Sequence, residues 1–282
     1  MPELPEVETF RRGLNARVAG KRVQAVELFR DNLIKNATPE ELQAVLSGVR
    51  IEGIDRRGKY LIFRFSNGYA AVFHLRMTGG FSLEENRLER PQICFRFVDG
   101  ATLYLDDRRN LSTLHLARTD RLEELEPIAR LGIEPFTESY TFERFASLFE
   151  TPREIKRLLV DQTRIAGLGN IYACEILFVC GIHPTTPANR LSDDQVKALY
   201  ERIPELLEEA IRCQGTSITS YRDLQGDAGA FQERLRVYGR EGEPCRSCGK
   251  RVERMKHGGR SSYFCPGCQP FIPSSEAGIA DL

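Results

Sequence analysis

The chain opens at helical spacing and then changes period. Val7, Phe10, Leu14 and Val18 recur at intervals of three and four, which predicts a buried amphipathic helix over about residues 5–18. Pro5 suits the first turn, where its missing N–H costs nothing, and Glu3, Glu6 and Glu8 favour the positive end of the helix dipole. A period of two follows. The stretches "VQAVELF" (23–29), "KYLIFRF" (59–65), "YAAVFHLRM" (69–77), "ICFRFV" (93–98) and "TLYLDD" (102–107) read as strands, with Leu61, Phe63 and Phe65 on one face. Asn67-Gly68 and Asp99-Gly100 are hairpin turn signals. This half is expected to be an antiparallel sandwich or barrel with flanking helices.

Beyond a linker-like "LGIEPFTESY" the pattern is helical, over about 142–150, 153–163, 170–181 and 193–213. The glycine-rich "RIAGLGN" separates the second and third of these as a turn. "QGDAG" (225–229) is a loop, a short hairpin is expected from Glu233, and the final residues carry no periodicity. The fold class is α+β, and no internal repeat is present. The expected organisation is a β-sandwich domain over 1–131, a linker over 132–141, a helical domain over 142–232, a metal-held finger over 233–269 and a disordered tail over 270–282.

At 282 residues the chain is long enough for two domains with real cores. No apolar run reaches membrane-spanning length and no signal peptide is read at the start, so a cytoplasmic protein without a membrane partner is expected. The formal net charge of zero argues weakly against a polyanionic partner, but its distribution matters more. Between Glu233 and Arg260 nine Lys/Arg (234, 236, 240, 246, 250, 251, 254, 256, 260) face four acids (233, 241, 243, 253). A polyanion-binding face needs such an asymmetry.

Eight cysteines without a secretory signal point to thiols or metal ligands rather than disulfides. Cys245-x2-Cys248 and Cys265-x2-Cys268, sixteen residues apart, are two knuckles suited to one tetrahedral structural zinc. Cys94, Cys174, Cys180 and Cys213 sit in strand or helix patterns as packing residues. The residues between the knuckles, "GKRVERMKHGGRSSYF", read as a basic hairpin with a Gly-Gly tip. Zinc would fold a segment too small for its own core.

Pro2 and Glu3 precede the first helix. Removal of the initiator methionine would leave Pro2 a free secondary amine, titrating roughly two to three units below lysine and therefore more often neutral and nucleophilic. A secondary amine attacking an aldehyde carbon yields a permanently cationic iminium. Formed at a sugar C1′, that electron sink acidifies C2′, and the phosphate at C3′ leaves by elimination. Glu3 could protonate the ring oxygen, and Lys59 could supply protons or neutralise phosphate. A tautomerase-like use of Pro2 as general base competes with this, but such proteins are small and need no zinc finger.

With these residues reached, "MPELPEVET", "RGKYL", "HLRMTG", "AGLGNIYACEILF", "FQERLRVYGREGEPC" and "GGRSSYFCPGCQ" closely resemble the bacterial formamidopyrimidine-DNA glycosylase (Fpg/Nei) family, collinearly over about residues 1–269. The resemblance implies a monomeric enzyme of base-excision repair acting on duplex DNA with oxidised bases or abasic sites, with a helix-two-turns-helix domain and a zinc-finger hairpin. It implies removal of 8-oxoguanine and formamidopyrimidines, then β- and δ-elimination. Pro2 would be the Schiff-base nucleophile, Glu3 the acid at the sugar, Lys59 the lysine of β-elimination, and Arg260 the phosphate-gripping arginine linked to δ-elimination. Asn170 matches the phosphate-binding asparagine at a helix start. Lys156 and Arg153 are placed with the DNA-binding residues.

A base that leaves the stack must be replaced. Met77 matches the first void-filling side chain and Arg109 the reader of the orphaned cytosine. Leu111 stands where the family has phenylalanine. Gln92 occupies the place of a DNA-contacting histidine, and Pro152 that of a basic residue, with Arg153 beside it. His74, beside Met77, is a DNA-facing candidate set against a structural role, while His115 and His183 are assigned to structure. The "QGDAG" loop aligns with the segment that folds over the extruded base. Two other readings stand beside this one: a Nei-like enzyme preferring oxidised pyrimidines, and a non-catalytic zinc-finger DNA-binding paralogue, which would have no reason to keep Pro2, Glu3 and Lys59 together.

Overall fold

The computed structural model describes residues 2–218 and 221–271. Apart from its first two residues, the expected disordered tail lies outside the described residues. No helix among them is long and apolar enough to cross a membrane.

Two compact units share the chain: residues 1–134 with 207–234, and 135–206 with 235–282. The expected boundaries ran instead along the sequence, 142–232 being one domain. Leu207–Arg234 clusters with the first unit because the backbone N–H of Thr216 donates to Glu6 at 2.7 Å and the Tyr221 ring meets Phe10 edge-on at 5.7 Å.

The first unit starts with helix α1 (Leu4–Val18), which fully buries Val7, Phe10, Leu14 and Val18 as their spacing requires. The Glu3 N–H, outside the first turn, donates to the Glu6 carboxylate at 2.7 Å. Strand β1 (Val23–Leu28) and helix α2 (Pro39–Leu46) follow, then β2 (Ile51–Arg57), β3 (Tyr60–Phe65), β4 (Tyr69–His74), β5 (Gly79–Ser82), β6 (Pro91–Phe97), β7 (Thr102–Asp107) and β8 (Thr113–Arg118). They form two antiparallel four-stranded sheets, ordered β1-β6-β7-β5 and β2-β3-β4-β8. Phe63, Phe73, Phe81 and Phe95 stack and cross in the core, along with Leu61, Leu103 and Leu105. A short helix α3 (Glu126–Ala129) precedes the connection to the second unit.

The second unit contains α4 (Phe142–Ala146), α5 (Ile155–Leu159) and α6 (Asn170–Val179). Both α4 and α5 are shorter than expected. The first passes into a 3-10 turn at Ser147–Phe149, and the second ends where the Asp161 carboxylate captures the Thr163 N–H at 3.0 Å. Helix α7 (Asp193–Arg212) follows, buried along the stripe Val196, Leu199, Ile203, Leu206 and Ala210; the division of units falls within it. No hairpin starts at Glu233, which lies in a 3-10 turn, Phe231–Arg234. The hairpin is the one between the cysteine pairs, β9 (Glu253–His257) against β10 (Arg260–Phe264), closed by Gly258 and Gly259 at φ 57° and 75°.

Candidate functional site

The first unit holds a cavity of about 350 Å³ with Pro2 in its wall. Met77, Gly79, Gly80, Tyr221 and Gly226 share the lining, together with Arg87, Arg108 and Arg222 and the carboxylates of Glu89, Asp106 and Asp223. Glycine is required at Gly79, where a Cβ would run into the Ser112 hydroxyl and the Leu75 carbonyl, and is favoured at Gly226 by its φ of 86°, which L side chains rarely adopt. "QGDAG" therefore contributes directly to the cavity through Gly226.

Glu3 and Lys59 are buried in the same unit, at 1% and 5% exposure, but outside the cavity lining. Lys59 sits between β2 and β3, and the turn holding it is built from charge. Glu134, itself 1% exposed, accepts the Gly58 N–H at 2.9 Å and the Arg57 guanidinium at 2.5 Å, and also pairs with Arg56. On its other side Arg56 meets Glu8 at 3.1 Å. Burial raises the Glu8 pKa, but bonds and charge from Arg11, Arg12 and Arg56 outweigh it and hold the carboxyl down at about 2.

His74 faces inward, 8% exposed, its ring edge-on to Tyr60 at 4.6 Å. Burial, reinforced by the charges of Arg76 and Lys59, depresses its pKa to about 3, so the ring is neutral. Its Nδ1 accepts the N–H of Arg76 at 3.0 Å, fixing the turn (Arg76 φ 54°) that exposes Met77. The DNA-facing expectation for this histidine gives way to a supporting one. Gln92 is likewise corrected. It is 2% exposed, and its amide donates to Arg90 O (2.8 Å), Asp107 O (3.2 Å) and Asn110 Oδ1 (2.8 Å), bracing the turn that carries Arg109 and Leu111.

In the second unit another cavity of about 350 Å³ collects Arg153, Lys156, Arg157, Asn170, His257 and Arg260. Arg260 is exposed at the start of β10. Asn170 is the first residue of α6, and Gly169 is the cap. Its Nδ2 donates to Ser261 O at 2.9 Å, while its buried Oδ1 has no partner. Lys156 is 3% exposed, and its ammonium binds Ser261 O at 2.9 Å and Ser262 Oγ at 2.6 Å. It fastens the finger hairpin as it lines the cavity. Arg153 pairs with Asp161 at 2.5 Å, and the His257 ring reaches Glu154 at 2.7 Å.

Cys245, Cys248, Cys265 and Cys268 bring four Sγ atoms within 4.8 Å of one another, with 3.8 Å between Cys245 and Cys268 and 3.3 Å between Cys248 and Cys265. Tetrahedral zinc–thiolate bonds of about 2.3 Å imply sulfur separations of about 3.8 Å, so the donor set fits one structural zinc. Burial acts to raise the Cys245 pKa, but the N–H groups of Ser247 and Cys248 bring it down to about 7; burial and the neighbouring thiols push Cys268 up to about 12. A dication resolves that conflict, because four thiolates crowded together repel one another without one.

Four buried carboxylates escaped the reading of the sequence: Asp107, Glu134, Glu175 and Asp223. Only Glu175 left a mark, as the one charge in the apolar run "NIYACEILFV". It accepts three backbone N–H bonds, from Arg236, Val237 and Tyr238, at 2.8–3.0 Å.

Comparison with known proteins agrees in every segment. Residues 1–114 match the formamidopyrimidine-DNA glycosylase N-terminal domain, 131–222 the formamidopyrimidine-DNA glycosylase H2TH domain, and 242–270 a zinc finger found in FPG and IleRS. Formamidopyrimidine-DNA glycosylases of an Exiguobacterium species and of Bacillus subtilis are 43% and 42% identical over 274 and 277 residues, spanning 95% of this chain and 99% of each relative. The Lactococcus lactis Fpg bound to DNA with an abasic site superposes with a TM-score of 0.89 at 36% identity, over 95% of this chain and all of that one. From its sandwich, its helix-two-turns-helix segment and its four-cysteine finger alike, the chain belongs to the formamidopyrimidine-DNA glycosylase family.

Proposed function

We propose that this protein excises oxidised purines from duplex DNA and cleaves the resulting abasic strand, acting in the cytoplasm on the chromosome. The observation that carries the reading is Pro2 in the wall of a cavity within the about 300–1,000 Å³ range of small-ligand sites. Once the initiator methionine is removed, the prolyl nitrogen attacks C1′ with its lone pair, the bond to the damaged base breaks, and the proton shed by the prolyl nitrogen neutralises the departing base. Glu3 protonates the ring oxygen as the sugar opens, leaving a cationic iminium. Loss of a C2′ proton expels the 3′ phosphate, with Lys59 the proton carrier, and a second elimination expels the 5′ phosphate. Met77 and Leu111, each about two-fifths exposed, fill the vacated stack, and Arg109 reads the orphaned base. Arg260, Arg153 and Asn170 hold phosphates.

Borohydride reduction tests the chemistry. A covalent adduct with 8-oxoguanine or abasic duplex is expected from wild type, and Pro2→Gly should cripple it while Cys94→Ser should not. No adduct from wild type whose N-terminal proline is shown free by intact mass would refute the lyase assignment. A broader substrate range is supported by the Lactococcus lactis protein, whose solved complexes include DNA with an oxidised pyrimidine. Excision rates across a lesion panel, each lesion opposite all four bases, separate the two preferences.

A further inference from the structure

Asp107 ends β7 fully buried, and its carboxylate joins two loops. Oδ1 accepts the Thr78 hydroxyl at 2.5 Å and the Arg109 N–H at 3.1 Å. Oδ2 accepts the N–H groups of Leu111 and Ser112, both at 2.7 Å, and the Ser112 hydroxyl at 2.8 Å. The Thr78 hydroxyl in turn accepts the Arg109 N–H at 3.1 Å. Burial raises the pKa of this carboxyl, but its many donors prevail and keep it below the ordinary aspartate value, so it is ionised.

The loops it joins are short and strained. Arg76 and Asn110 each adopt a φ of 54°, which L side chains seldom take, and each lies next to an exposed apolar residue, Met77 at 40% and Leu111 at 41%. Ser112 Oγ lies 3.2 Å from the Leu75 carbonyl, which also accepts the Gly79 N–H at 2.9 Å. Five donors on one buried anion leave the two loops little freedom to move separately.

We infer that Asp107 is the positioning residue that sets Met77, Arg109 and Leu111 as a single rigid wedge for base eversion. The inference rests on the reading of Met77 and Leu111 as void fillers and of Arg109 as the reader of the orphaned base. It deepens that reading: Asp107 touches no substrate and acts only through them. A preset wedge matters most when a paired base must be driven out of the stack, and less when the base is already missing.

The test compares wild type with Asp107→Asn, whose amide cannot accept all five bonds, in single-turnover excision of 8-oxoguanine and in cleavage of a preformed abasic site. Excision should fall about ten- to a hundredfold, the size of one or two lost charge-assisted bonds, and abasic cleavage much less. Combining it with Met77→Ala and Leu111→Ala should add little, because the wedge it positions is already gone. Ser112→Ala removes one donor without a buried charge and carries the same comparison if Asp107→Asn fails to fold. Equal losses on both substrates, unchanged excision, or multiplying effects in the combined variant would overturn the inference. Failure of wild type to act on either substrate would instead overturn the functional reading beneath it.

Discussion

Glu134 lies far along the chain from Gly58, yet its carboxylate accepts the Gly58 N–H at 2.9 Å, one residue before Lys59. The same group neutralises Arg56 and Arg57, so the turn that presents the lysine is anchored by the segment leaving the sandwich.

Removing this anchor takes from Arg56, whose side chain is only 9% exposed, one of its two carboxylates and leaves it Glu8 alone. Glu134→Ala should cost about 1–3 kcal/mol, the usual penalty for buried donors left without their acceptor. Denaturant midpoints check it. The elimination steps should also slow relative to borohydride trapping, because Lys59 loses its fixed turn.

His74 makes stability depend on pH in a stated direction. Its folded pKa of about 3 lies below the ordinary 6.5, so below pH 6.5 the unfolded chain takes up a proton that the native ring refuses. This contribution is whole above 6.5 and lost as pH falls toward 3, at up to about 1.4 kcal/mol per pH unit. His74→Asn, whose Oδ1 can still accept the Arg76 N–H, should flatten that slope. Urea midpoints of both proteins at pH 7.5 and pH 5 report the difference, and parallel curves would contradict it.

Zinc removal should disable DNA binding through the hairpin. The buried Cys245 and Cys265 pack with Val237, Val252, Cys174 and Phe178 in one small cluster, which cannot survive without the knuckles. Protein stripped of zinc, with the loss verified by elemental analysis, should bind abasic duplex at least about tenfold more weakly in anisotropy titrations.

The cationic cavity of the second unit makes a prediction about salt. Arg260→Ala should weaken binding evenly across sequences and reduce the slope of log affinity against log salt by about one. Asn170→Asp places an anion where a phosphate is proposed and should weaken binding at every salt concentration, most at low salt. An unchanged slope in Arg260→Ala would remove the arginine from the phosphate contacts.

What could be read in advance follows physical pattern. Helix α1 was legible because one face buries at helical spacing, and the zinc site because thiol spacing reports coordination directly. Strands β2, β5 and β8 were not: "IEGIDRR" hides its alternation behind Gly53 and four charges, "GGFS" has almost no side chains to alternate, and "TLHLAR" follows a turn shaped by a buried carboxylate instead of an Asn-Gly pair. Exposed candidates could be named from the chain, Met77 and Leu111 in the first unit and Arg260 in the second. Buried supports could not. Glu134 and Asp107 act through contacts with backbone that no local spacing encodes, and Gln92, named as a DNA contact, braces backbone in the same way.

Helix α6 has Asn170 at its first residue and Glu175 near its middle, clasping the bent run from Arg236 to Tyr238 that leads into the finger. One lever thus bears both ends of a grip. Asn170 also donates to Ser261 in the hairpin, so a tilt of the four-cysteine hairpin would drag the helix start with it, and the separation of the two phosphate contacts proposed at Asn170 and Arg260 would be held by ten residues of one helix.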